Sequence, residues 1–276
     1  MRKVPQKVEQ KSLQQMISFT HSTYPTDCAS PNLISAEGIE EFPGFSGTGF
    51  FARRDDEVFY VTARHCLSKD PDADISSLVQ RLHVPYTLTA STESTNDHVQ
   101  FGEVISLKHD SDEIPGKFVD VLVITILRPT NTGPYETLLA RAIKLPPKGH
   151  WLDNFVQHPT VKPDFDNGKG IRFTAIGYPK EGTSSDIKYP EGKPIQIVTQ
   201  PAKIDGFLGK GTGIDRYMMN DISWDLDLNG FSGSPVIVGF NNENGQNYAL
   251  AGMLVSGGSK KAQFIRISLI TEALKT

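Results

Sequence analysis

The chain has 276 residues, 38% hydrophobic and 22% charged, and its formal net charge is −4. That suits a soluble globular protein with one large domain or two modest ones. The lack of a basic excess excludes the electrostatic footprint of a nucleic-acid or anionic-membrane binder.

Residues 1–40 begin MRKVPQKVEQKSLQQMISFTHS. This start lacks the apolar run of about 7–15 residues that a secretory signal needs, and no later stretch reaches the roughly 18 apolar residues of a membrane span. The sequence therefore reads as that of an untargeted, cytoplasmic protein. Residues 1–40 carry no strand signal and read as an N-terminal extension, with helical periodicity over Val8–Ile17. The two cysteines, Cys28 and Cys66, are too few for a disulfide framework and are expected to be reduced.

Short β-branched and aromatic runs punctuated by Gly and Pro follow. Val58–Thr62 and Val119–Leu127 read as strands in the first half, and Ile171–Ile176 and Ile195–Thr199 as strands in the second. Val236–Phe240 and Tyr248–Val255 read as a hairpin, because the Asn-Gly pair in NNENGQN between them is a turn signal. Helical periodicity is confined to Tyr135–Ala142 and the tail after Ile267 in this part of the chain. A Pro-, Gly- and Asn-rich break over 128–170 separates the halves. The pattern predicts an all-β sandwich or barrel protein.

Three segments carry chemistry. Gly230-Phe231-Ser232-Gly233-Ser234-Pro235 sets a serine between glycines at the opening of a strand. Acyl transfer needs such a nucleophile at a tight turn, with free backbone N–H groups beside it for the developing oxyanion; an ordinary Gly/Ser loop would look the same. Phe59-Tyr-Val-Thr-Ala-Arg-His65 runs a buried strand straight into a histidine. A histidine's ordinary pKa of about 6.5 suits a base that takes and returns a proton; a structural strand-end histidine is the plainer alternative. Phe118-Val-Asp120-Val-Leu-Val-Ile places an acid in a run too apolar to bury it cheaply without a partner. It reads either as a solvated aspartate or as a buried carboxylate orienting the histidine. The order His, Asp, Ser excludes the Ser…Asp…His and Asp…His…Ser arrangements of two other hydrolase classes.

With SGTGFF (46–51), VTARHCL, VDVLVI, AIGYP (175–179), GFSGSP and LVSGGS (254–259), in this order over roughly residues 44–268, the sequence resembles the trypsin-like serine peptidases, nearer their divergent bacterial members. The resemblance implies two six-stranded antiparallel β-barrels, over 41–150 and 151–276, with the active site in the cleft between them. His65 and Asp120 would come from the first barrel and Ser232 from the second. The oxyanion hole would be the N–H groups of Gly230 and Ser232. Ser256 would lie near Asp120, and Ser256-Gly257-Gly258 would pair with the substrate backbone as an added strand. The S1 floor, about six positions before the nucleophile in this family, would be Leu226. Asp225 and Asp227 flank Leu226, so a one-residue slip would change an apolar P1 preference to Lys/Arg. Phe231 stands where the family often has Asp or Asn, which makes activation by a newly cut N-terminus unlike this chain. Cys66 lacks its usual disulfide partner, since Ser46 and Gly47 occupy that region.

The resemblance thus implies a serine endopeptidase acting on protein or peptide substrates. An inactive binding module on the same fold and an esterase or acyl transferase using the same triad are the alternatives. His21, His83, His98, His109, His150 and His158 fit no metal-ligand spacing, so neither metal nor cofactor is expected. Gly209-Lys-Gly-Thr-Gly lacks the spacing of a phosphate-binding loop and reads as a loop near the cleft. A cytoplasmic peptidase needs restraint, which residues 1–40 or a partner protein would supply.

Overall fold

A computed structural model of the chain describes residues 25–36, 39–86, 98–108, 118–130, 132–147, 149–182, 186–188, 191, 196–213, 215–242, 245–258 and 260–275. The helical reading of Val8–Ile17 lies outside them.

The first half forms one curled sheet. Its strands are β1 (Ala29–Ala36), β2 (Ile39–Arg54), β3 (Glu57–Thr62), β4 (Leu82–His83), β5 (Phe101–Lys108), β6 (Phe118–Ile126) and β7 (Ile143–Lys144). Their order is β4-β1-β2-β3-β6-β5, with β7 parallel to β2. β3 and β6 are apolar at consecutive positions because both of their faces are covered: Val58 to Thr62 and Val121 to Ile124 are all buried.

The second half follows β8 (Arg172–Gly177) with a two-stranded ladder of β9 (Asp186–Lys188) and β10 (Gln196–Val198). Then come β11 (Ala202–Lys210), β12 (Arg216–Asn220), β13 (Pro235–Asn242), β14 (Gly245–Gly258) and β15 (Lys261–Arg266). The order β11-β12-β15-β14-β13-β8 closes into a six-stranded antiparallel barrel through the β8–β11 pairing. The expected hairpin is present, with Asn242 opposite Gly245. The Gly209–Gly213 stretch ends β11 and leads out of it towards β12, and its Thr212 hydrogen-bonds Gln263 on β15.

The architecture is the two-barrel, chymotrypsin-like one, with three departures from the sequence reading. First, the sheet of the first half is curled but open among the described residues. Its end strands meet through the isolated Pro85–His98 bridge and the Val99 N–H bond to Val84, because β4 is only two residues long. Second, the first barrel begins before residue 41. Residues 29–36 form β1, which pairs with β2 through most of its length. Third, besides the helix expected over Tyr135–Ala142, the 128–170 break carries two helices that the sequence reading did not offer. α1 (Ile75–Val79) precedes it, and α2 (Thr132–Arg141), α3 (Trp151–Gln157) and α4 (Lys162–Asn167) lie within it.

The last helix, α5 (Ile267–Ala273), buries Ile267, Ile270 and Ala273 on one stripe. It packs on β14 and β15 of the closed barrel and also on β5 and β6 of the first sheet. Arg54 of β2 donates to the Leu274 carbonyl at 3.0 Å just past the end of α5. The two halves are therefore held together at the far end of the chain as well as at the cleft. No helix among the described residues is long and apolar enough to cross a membrane.

Candidate active site

β3 ends at Thr62, and Arg64-His65-Cys66 make one 3₁₀ turn after an extended Ala63. Arg64 steadies that turn: its guanidinium donates to the Pro71 carbonyl at 2.7 Å and lies 4.9 Å from the centre of the Phe118 ring at the head of β6. The turn presents His65 to Asp120, the third residue of β6, and two bonds fix the pair. The His65 backbone N–H donates to one carboxylate oxygen of Asp120 at 3.0 Å, and Nδ1 lies 2.6 Å from the other. An ionised carboxylate only accepts, so in a neutral imidazole bonded to it the proton lies on Nδ1 and Nε2 is the acceptor. The side chains are 33% and 24% exposed, so the pair sits at a rim and not in the core.

Ser232 lies on a tight turn. Phe231 N–H bonds Leu228 O and Ser234 N–H bonds Phe231 O, both at 2.9 Å. The turn is tied to β14 by Gly233 N–H on Leu254 O at 2.7 Å and Leu254 N–H on Ser234 O at 2.9 Å. It is tied to the first sheet by two donors on the Ser232 carbonyl, the Thr48 N–H at 2.9 Å and the Cys66 thiol at 3.3 Å. The residue after His65 thus touches the nucleophile candidate directly. Gly233 takes φ +89°, and a Cβ there would run into the Thr48 carbonyl.

His65 and Asp120 are bonded to each other, whereas Ser232 meets this segment through the residue after His65, whose thiol donates to the Ser232 carbonyl. Its hydroxyl donates to the Val255 carbonyl at 3.3 Å and makes no hydrogen bond with His65.

The Gly230 and Ser232 N–H groups donate to no group among the described residues. The Asn229 carbonyl is held by the Lys180 N–H at 2.9 Å. In a planar trans peptide the N–H points opposite to the C=O, so this bond turns the Gly230 N–H away from Lys180 and leaves it free. Gly230 takes φ +97°, and a Cβ there would meet the Tyr178 carbonyl and the backbone of Pro179 and Lys180. Only glycine fits this position.

Ser256, Gly257 and Gly258 end β14, exposed, opposite Gln263, Ala262 and Lys261 of β15. On the other side β13 starts at Pro235, opposite Met253. β14 therefore runs past its neighbour, and among the described residues no strand pairs with the other edge of 256–258. The hydrogen bonds found on Asp120 come from His65 and not from Ser256.

The S1 expectation needs correction. Leu226 is 51% exposed beside Gly182 and Trp224, so it floors no enclosed pocket. The buried residue is Leu228, two positions on, whose side chain lies against Gly257. Both aspartates have other partners: Asp225 pairs with Lys260, and Asp227 accepts from the N–H and side-chain amide of Asn229. The loop before the nucleophile has its own geometry, which a count along the chain does not capture.

Phe231 is fully buried, edge-on to Trp224 with ring centres 5.2 Å apart at 82°. Cys28 and Cys66 are free and buried, and burial pushes each thiol up to about 12. No group of three or more His, Cys, Asp or Glu side chains among the described residues could hold a metal ion. Sequence reasoning passed over Thr48 and Asn32, both fully buried polar residues. Thr48 stands in the quoted SGTGFF segment, where a hydroxyl between two glycines in an apolar strand was the available signal.

No protein-family model and no curated protein matches the chain. Among solved structures it is similar to the tobacco vein mottling virus protease, at 12% identity over 90% of this chain and 81% of that one, with a TM-score of 0.40. It is also similar to the serine protease of a human pathogenic astrovirus, at 14% identity over 90% and 93% of the two chains, with a TM-score of 0.37. Both are viral proteins, not members of the bacterial group that the motifs resemble.

Proposed function

We propose that this protein is a serine endopeptidase with His65 as general base, Asp120 as its orienting acid and Ser232 as nucleophile. The observation that carries the reading is the double attachment of His65 to Asp120, which leaves Nε2 free as an acceptor at the rim of the first sheet. A peptide substrate adds as a strand to the unpaired 256–258 edge. Ser232 Oγ then turns about χ1 from Val255 O towards His65 Nε2 and attacks the scissile carbonyl, while Nε2 takes its proton. The resulting oxyanion accepts from the Gly230 and Ser232 N–H groups, and Asp120 stabilises the imidazolium. The tetrahedral species collapses, the imidazolium gives its proton to the leaving amine, and an acyl-enzyme remains. Water repeats the sequence on the ester, releasing the acid and restoring the Ser232 hydroxyl.

One observation favours a second reading. The Ser232 hydroxyl is bonded to Val255 and not to His65, as it would be in a binding module that retains the fold without turnover. Reaction with a fluorophosphonate, followed by peptide mapping and a casein digest, separates the two. The peptidase reading expects the adduct on Ser232, its loss in Ser232→Ala, and casein cleavage that the same substitution abolishes. An adduct on Ser234, or neither labelling nor cleavage, sinks it. Labelling without casein cleavage turns the reading towards an esterase or acyl transferase.

A further inference from the structure

A buried polar chain runs from the core of the first sheet to the oxyanion turn. Tyr60, Asn32, Thr62 and Thr48 are each fully buried. The Tyr60 hydroxyl donates to Asn32 Oδ1 at 2.6 Å. The Asn32 amide spends its protons on Thr62 Oγ1 at 2.8 Å and the Thr48 carbonyl at 3.1 Å. The Thr62 hydroxyl donates to the same carbonyl at 2.9 Å. The Thr48 hydroxyl donates to the Gly230 carbonyl at 2.6 Å and accepts the Tyr178 N–H at 2.9 Å. The bonds from Asn32 and Thr62 converge on the Thr48 carbonyl, and the Thr48 hydroxyl, whose one proton goes to the Gly230 carbonyl, carries the link on to the peptide that follows the Gly230 N–H.

This places Thr48 at a junction. Both peptide planes flanking Gly230 are pinned, one by Lys180 N–H on Asn229 O and the other by Thr48 Oγ1 on Gly230 O. The Thr48 hydroxyl also holds Tyr178, two residues before Lys180 and directly against Gly230. Its backbone N–H holds the Ser232 carbonyl. One residue of the first sheet thereby holds one of the two Gly230 peptides of the second barrel and the Ser232 carbonyl. A buried donor lost from such a network leaves the Gly230 carbonyl and the Tyr178 N–H without partners, and rotation of the Gly230 peptides relieves that cost.

We infer that Thr48 is a positioning residue for the oxyanion hole, with Asn32, Thr62 and Tyr60 as its support. The inference rests on the peptidase reading of Gly230 and Ser232. The test is the kinetics of fluorophosphonate labelling of the full chain, resolved into the affinity of the reversible complex and the rate at saturation. Thr48→Val keeps the shape and removes the hydroxyl. Its saturated rate is expected to fall about 10- to 100-fold, short of the full loss of one oxyanion donor, with the reversible affinity changed less than about twofold. Thr48→Ser is expected to restore the rate to within about threefold of wild type. Thr62→Val, which removes one donor from the Thr48 carbonyl and leaves the Thr48 hydroxyl in place, is expected to fall between the two. If Thr48→Val does not fold, Thr48→Cys carries the test, its weak donor slowing the saturated rate about tenfold. A folded Thr48→Val or Thr48→Cys with a wild-type saturated rate and only a lowered melting temperature overturns the inference. An unlabelled wild type overturns the peptidase reading itself, so the two failures are distinct.

Discussion

Phe231 stands immediately before the nucleophile candidate, and its burial lets the cost of removing it be worked out. The ring is fully buried and meets Trp224 edge-on. Truncating a core phenylalanine to alanine costs about 3–5 kcal/mol, and the lost edge-to-face contact supplies about 0.5–1.5 kcal/mol beyond area burial. Its neighbours limit collapse into the space. Gly177 packs against the ring, and Ser234 and Gly233 are tied to β14 by backbone bonds. Phe231→Ala is therefore expected at the upper part of that range, about 4–5 kcal/mol. Phe231→Leu, which keeps most of the apolar volume but no ring edge, is expected to lose about 1–2 kcal/mol. Urea unfolding followed by far-UV circular dichroism reads the stability. The emission of Trp224, compared in a Trp151→Phe background, reads the contact. The alanine variant should also slow fluorophosphonate labelling more than the leucine variant, because the ring holds the turn that carries Ser232. A loss below about 1 kcal/mol for alanine, or equal losses for both variants, would refute the idea that the Phe231 ring anchors the turn that carries Ser232.

Asp120→Asn should keep the fold and lower kcat about 10⁴-fold, because an amide favours the wrong imidazole tautomer; a casein or peptide assay retaining most of the activity would assign the role to another acid. Asp225→Ala and Asp227→Ala should leave the P1 preference of a peptide-library digest unchanged and apolar, since Asp225 pairs with Lys260 and Asp227 caps Asn229; cleavage after Lys or Arg abolished by either variant would show that an aspartate lies in the pocket. Iodoacetamide at pH 8 should modify neither Cys28 nor Cys66 in the folded chain and both after unfolding, as mass spectrometry would report. The folded thiols hold their protons up to about 12 against an unfolded value of 9.0. The native state therefore binds more protons than the unfolded chain between these values, and the thiol contribution to stability falls as pH rises through that window. A melting temperature that rises with pH there would contradict this.

The parts of the fold legible in the sequence are those where burial is apolar and continuous. β3, β6, β13 and β14 announce themselves through Val, Ile, Phe and Tyr runs. β1 does not, because the buried polar residues Ser30, Asn32 and Ser35 interrupt its apolar pattern, Asn32 bonding Thr48 and Thr62 and Ser35 bonding His83. α3 and α4 are seven and six residues long, too short for periodicity to stand out from the Pro and Gly around them. The His65–Asp120 pair was legible because each residue sits at the rim of a readable strand. The Ser232 rotamer and the loop over Ile222–Asn229 were not, since both depend on contacts from β14, Gly182 and Lys260 that no local motif records.

The ties that place Ser232 also set a timetable. His65 and Asp120 lie in the first half of the chain and can meet as soon as β3 and β6 pair. Ser232 is held from behind by Leu254, and the two halves are fastened by α5, whose last turn reaches back to Arg54. During synthesis the base and its acid can thus be in place while the serine still waits for residues about 20 to 40 positions downstream to leave the ribosome, several seconds at about 5–20 residues per second. Under the proposed function, the emerging chain carries the base and its acid while the serine and the last helix are still to come.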